Sequence, residues 1–147
     1  MGMVRIQIDL PKKFVFAVEL PVRVSDLNYG NHVGNDSILT LMQEARALFY
    51  RSLGFESEVK IEGSIGQVVA DAAIVYKTES FFGDTLIIEI AVREFHKYGF
   101  DMLYRISNKV TGKEVALGKT GIVCFDYAKR KMATIPASLQ SALDTFQ

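Results

Sequence analysis

The 147-residue chain holds one cysteine, two histidines, three prolines and no tryptophan. A lone thiol, Cys124, excludes an intramolecular disulfide and a zinc site built from several thiolates. His32 and His96 leave little for a metal centre built on imidazoles. Net charge is missing as well, since 17 Lys plus Arg offset 17 Asp plus Glu. The basic field that a general nucleic-acid binder needs is therefore not there. No apolar run approaches the roughly 20 residues that span a bilayer. Residues 1–10 show no cleavable signal pattern with an apolar centre. Repeats, low-complexity tracts and charge blocks are also absent. These absences predict a reduced, cytoplasmic, soluble protein with no membrane span and no nucleic-acid partner. The length predicts one domain over residues 1–147.

Apolar residues make up 49 % of the chain and charged residues 23 %, enough for an ordinary packed core. Residues 2–9 and 13–24 alternate β-branched and apolar residues, and predict one or two early strands interrupted at Pro11. A polar, glycine-bearing loop follows from Asp26 to Gly34. Residues 35–53 are the one long helix signal: Ile38, Leu41, Met42, Ala45, Leu48, Phe49 and Leu53 recur at helical spacing. Asn35 is the expected N-cap, Asp36 sits in the first turn, and Gly54 is a stop signal. Such a helix is about 28 Å long. Segments 65–78, 84–96, 98–108 and 113–127 are rich in Val, Ile, Phe and Tyr, with turn residues between them. Pro136 opens a short amphipathic tail carrying Leu139 and Leu143. The order predicts an α+β fold, a curved antiparallel sheet around one long helix. Its open edge suits pairing with a second subunit.

The run Val24-Ser25-Asp26-Leu27-Asn28-Tyr29-Gly30-Asn31-His32-Val33-Gly34-Asn35, followed by Glu44-Ala45-Arg46, resembles the loop–helix signature of hotdog-fold acyl-CoA thioesterases. The 4-hydroxybenzoyl-CoA thioesterase type is most similar, with its pattern D-x-D-x-x-G-H-V-N-N and then E-A-R. Val68-Val69-Ala70-Asp71, Phe82-Gly83-Asp84-Thr85-Leu86, Gly118–Asp126 and Ile135-Pro136 also fall where such proteins place similar residues. The resemblance implies a hotdog fold, hydrolysis of an acyl-CoA, a dimer or tetramer, and no cofactor. It also implies a carboxylate acting on water or on the carbonyl, with a backbone N–H at the helix N-terminus polarising the thioester. Hotdog domains also serve as non-catalytic modules binding acyl thioesters or a protein partner, the alternative function.

Two positions depart from the pattern. Asn28 stands where the benzoyl-type enzymes carry the catalytic carboxylate, and an amide cannot serve as nucleophile or base. Gly34 replaces the first Asn of the N-N pair. The chemistry therefore passes to other candidates. Asp36 lies beside the expected oxyanion donor Asn35, although a first-turn Asp also simply complements the helix dipole. His32 suits a general base, or a brace for the loop. Asn28 then holds a water or the carbonyl. Glu44, with Gln43, approximates a mid-helix carboxylate, or else joins a structural ion pair. Asp26 reads as a loop-amide acceptor. Tyr29, Gly34 and Asn35 are expected to line the substrate. Arg93, Lys97 and Lys119 are the candidate cations for coenzyme A phosphates, although Arg93 and Lys97, with His96 near a strand end, also read as an exposed basic turn. Cys124, inside an apolar strand, reads as a buried small hydrophobe.

Overall fold

The computed structural model describes residues 5–146. Strand β1 (Phe16–Pro21) leads through a 3-10 turn (Val24–Asp26) to helix α1 (Asn35–Ser52). Strands β2 (Ile65–Tyr76), β3 (Thr85–His96), β4 (Gly99–Asn108) and β5 (Glu114–Asp126) follow, then the short β6 (Lys131–Met132) and helix α2 (Ala137–Asp144). All pairings are antiparallel, in the order β1-β3-β4-β5-β2, with β6 joined to β5. Register shifts at Val69/Asp71, Arg93/His96 and Ile106/Ser107 bend the long strands so that the sheet curls over α1.

Period decides which side chains meet the helix. Leu86, Ile88 and Ile90 on β3 alternate with outward residues, as do Phe100, Met102, Tyr104 and Ile106 on β4. From α1, Ile38, Leu41, Met42, Ala45 and Phe49 fill the opposing side. Each large side chain so buried contributes about 1.5–3 kcal/mol relative to exposure. Gly118 is required where helix and sheet come closest: a Cβ there would lie 2.6 Å from Met42 Sδ. Leu139 and Leu143 of α2 complete the same core.

Three expectations need correction. The expected strand over 13–24 is only the six residues of β1, and no strand forms over residues 5–9. β1 and β4 take both edges of β3, and the early segment adds to neither outer strand, β1 or β2, among the described residues. Its alternating Ile6 and Ile8 instead line a groove with Ala73 and Leu103. Residues 2–4 of that expectation lie outside the described residues. The N-cap is Gly34, not Asn35, because the Gly34 carbonyl accepts the first helical bond, from the Ile38 N–H at 3.2 Å. Finally, Leu48 and Leu53 are only partly buried, while Arg46 and Tyr50 are buried. Gly54 does end the helix as expected, at φ +95°.

Cys124 faces the core and its burial pushes the thiol up to about 11. At pH 8 only on the order of a thousandth of it is thiolate. Native protein is expected to give no reaction with a disulfide thiol reagent at that pH, and one equivalent after denaturation. A full equivalent from native protein would contradict the packing of this strand.

Candidate functional site

The loop between β1 and α1 is held by its own backbone and by the β2–β3 connection. The Asn28 N–H donates to His32 O at 2.8 Å and the Asn31 N–H to Asn28 O at 3.0 Å, closing a tight turn with Asn31 at φ 63°. Asn28 Oδ1 accepts from the Gly30 N–H at 2.8 Å. The Gly34 N–H donates to Asp26 O at 3.0 Å, and the Val33 N–H reaches across to Ser80 O at 2.8 Å. Asp26 is buried, and its carboxylate accepts from the Arg23 N–H at 2.8 Å. It braces the turn that launches the loop.

These bonds bring Asn28, Tyr29, Gly30, His32, Asn35 and Asp36 around one open cleft of about 540 Å³. Behind it lies a pocket of about 280 Å³ whose wall includes His32, Val33, Asn35, Ile38, Tyr76 and Val115. His32 and Asn35 belong to both, so the helix N-terminus separates a polar cleft from a mainly apolar pocket. Among the described residues, no acceptor faces the Asn35 N–H, while the Asp36 N–H takes Asn35 Oδ1 at 3.1 Å. An unpaired first-turn N–H at the positive end of an 18-residue helix suits a carbonyl oxygen gaining negative charge. His32 Nδ1 lies 3.2 Å from Val33 O; if it carries the proton in that contact, Nε2 is left as an acceptor.

The other candidates lie elsewhere. Glu44 pairs with Arg23 at 3.6 Å, extending the Asp26 ion pair along the helix. Lys119 is held by Asp71 at 2.7 Å and Asp101 at 3.5 Å. That ammonium keeps the Asp71 carboxyl below its usual range. Arg93 donates to Asp9 O and shares a groove with Lys119 and Asp101. Since Gly118 meets Met42, the next residue, Lys119, projects from the face of the sheet away from the helix. Lys97 sits in the β3–β4 turn above the Tyr98 ring. None of these three cations lines the cleft or the pocket behind it.

Two site residues were not legible beforehand. Tyr76, at the end of β2, donates its hydroxyl to Asn35 O at 2.9 Å and so ties the pocket wall to the first helical turn. Partial burial, with the Asp36 charge adding, pushes that hydroxyl above the ordinary tyrosine range. Lys77 follows it on the pocket wall and, among the described residues, has no carboxylate within ion-pair distance. In sequence both are ordinary residues at a strand end, and 41 positions separate Tyr76 from its partner.

The whole arrangement has relatives. Residues 22–143 match the thioesterase-like superfamily. A protein of Synechocystis sp. designated an esterase is 26 % identical over 129 residues, 87 % of this chain and 78 % of that protein. Among solved structures, a 1,4-dihydroxy-2-naphthoyl-CoA thioesterase from Synechocystis superposes with a TM-score of 0.80 at 23 % identity, over 88 % of this chain and 95 % of that one. A Staphylococcus aureus protein solved in complex with CoA superposes at 0.82 with 11 % identity, covering 95 % and 87 %. The fold is thus the hotdog, and by the match over residues 22–143 the chain belongs to the thioesterase-like superfamily.

Proposed function

We propose that this protein hydrolyses an acyl-CoA thioester to the free acid and coenzyme A. The observation that carries the reading is the placement of His32, Asn35 and Asp36 at an unpaired helix N-terminus between the apolar pocket and the open cleft. The acyl group occupies the pocket and the pantetheine arm leaves through the cleft. The Asn35 N–H polarises the thioester oxygen. Asp36, with His32 beside it, takes a proton from water, whose oxygen attacks the carbonyl carbon. The tetrahedral oxyanion then collapses, and the C–S bond breaks to release the coenzyme A thiolate. Asn28 Oδ1 is already committed to Gly30, so its amide N–H groups are what it offers to the water or the carbonyl.

Thiol release from a panel of aliphatic and aromatic acyl-CoAs tests this directly. Turnover of at least one supports it. The second reading is a non-catalytic acyl-CoA binder, favoured by the structural commitment of Asn28. Calorimetric binding of acyl-CoAs without any turnover would select that reading.

A homodimer, or a tetramer built from it, belongs to the proposal. Among the described residues β2 has β5 as its one strand partner, and beyond Gln67 its other edge is open, with Val69 42 % exposed. Light scattering is expected to give at least twice the 16.4 kDa chain mass; a monomer at micromolar concentration would sink the assembly.

A further inference from the structure

We infer that Gly34 is a positioning residue, whose missing side chain is the space in which the Asp36 carboxylate sits. Gly34 is the helix N-cap at φ −68° and ψ 151°, a conformation open to any residue, so its backbone gives no reason for glycine. Ser, Thr, Asn or Asp at this position would accept from a first-turn N–H and stabilise the helix, and no side chain caps it here. The reason lies in what a Cβ would meet. Built on Gly34, it would stand 2.6 Å from Asp36 Oδ1 and 3.5 Å from Asn28 Cβ. The Asp36 carboxylate is thus folded back over the helix N-terminus towards Asn28, the position where related thioesterases are expected to carry their own carboxylate. A side chain at 34 evicts it. Because the evicted group is the free end of a mobile side chain, eviction leaves the fold intact and disturbs only the site.

Two departures from the loop signature, Asn28 and Gly34, therefore belong together. Loss of the carboxylate at one position goes with room for a carboxylate at the other. A local rule of helix capping is set aside at the point where the site needs it. Misplacing a reacting group by about 1 Å costs on the order of a hundredfold in rate.

This inference rests on the thioesterase reading, and one set of variants separates the two. Gly34→Ala and Gly34→Ser are expected to lower kcat at least tenfold, with KM changed less than threefold and the melting temperature unchanged or raised. In an Asp36→Asn background, Gly34→Ala is expected to change the residual kcat less than twofold, since its effect passes through Asp36. Full kcat in Gly34→Ala overturns the inference. So does an equal loss in the Asp36→Asn background, which would mean that position 34 acts on the substrate or the N–H donors. A fall in melting temperature of more than about five degrees overturns it too, by making the glycine structural. A wild-type protein that releases thiol from no acyl-CoA instead defeats the thioesterase reading itself.

Discussion

Asp36→Asn is expected to lower kcat at least a hundredfold while leaving the fold and its melting temperature nearly unchanged. Losing general-base assistance typically costs about 10²–10⁴-fold. Asp36 is exposed on the first helical turn, so an isosteric amide removes charge and basicity but no packing. Its N–H bond to Asn35 Oδ1 survives the change, because the backbone makes it. Asn28→Asp is the complementary experiment. The Gly30 N–H can still be accepted by a carboxylate at position 28, so the turn keeps its shape and activity is expected to hold or rise. Steady-state kinetics on the best acyl-CoA decide the matter. If Asp36→Asn turns over normally while Glu44→Gln is dead, the catalytic carboxylate lies at mid-helix and the loop assignment falls. The position of Glu44 argues for the loss at Asp36, since Glu44 pairs with Arg23 and lines neither the cleft nor the pocket.

The largest effect on stability is expected from Arg46→Leu, a loss of about 3–5 kcal/mol in denaturant unfolding. Arg46 is 4 % exposed. Its Nε donates to Glu58 Oε2 at 2.7 Å, and its guanidinium donates to Tyr104 Oη at 3.0 Å; that hydroxyl in turn lies 2.7 Å from Thr120 Oγ1. Burial alone would favour a neutral side chain, but Glu58 and Tyr104 hold the guanidinium charged. Removing it strands the mostly covered Glu58 carboxylate and leaves the buried Tyr104 hydroxyl with Thr120 as its remaining partner. Against a total of about 5–15 kcal/mol for a domain this size, that is a large fraction. Adding Glu58→Leu to the variant is expected to recover part of the loss, because the abandoned charge is then gone. A change under 1 kcal/mol would show that the network is solvated and dispensable.

The resemblance of Asp26–Asn35 and Glu44–Arg46 to the thioesterase signature foretold the family, and periodicity foretold the helix and the four long strands. Those features are local: a 3.6 or 2.0 repeat of apolar residues survives in any context that offers a core. The early strand region failed for the same reason. Ile6 and Ile8 carry a genuine period of two, but that period does not by itself secure a pairing partner: Ile6 stays 62 % exposed and Ile8 partly buried, both lining a groove. Nothing in residue order marks Arg46 as buried, because its partners lie 12 and 58 positions away. A charge reads as exposed until its counter-charge is located.

The chain's own residues thus determined that it folds as one long helix under a curled antiparallel sheet, and that the loop before the helix departs at positions 28 and 34 from the signature it resembles. Those are matters of residue type and short-range spacing, which the order of the amino acids states outright. Tertiary structure alone decided that Tyr76 and Lys77 line the pocket at the helix N-terminus and that Arg93 and Lys119 line a different groove. It alone decided that the glycine at 34 leaves room for Asp36. Each depends on which strand lies beside which helix turn and on which side of the pleat a residue falls. A one-residue shift in register would reverse the facing of every strand side chain without altering the local pattern that predicts the strand.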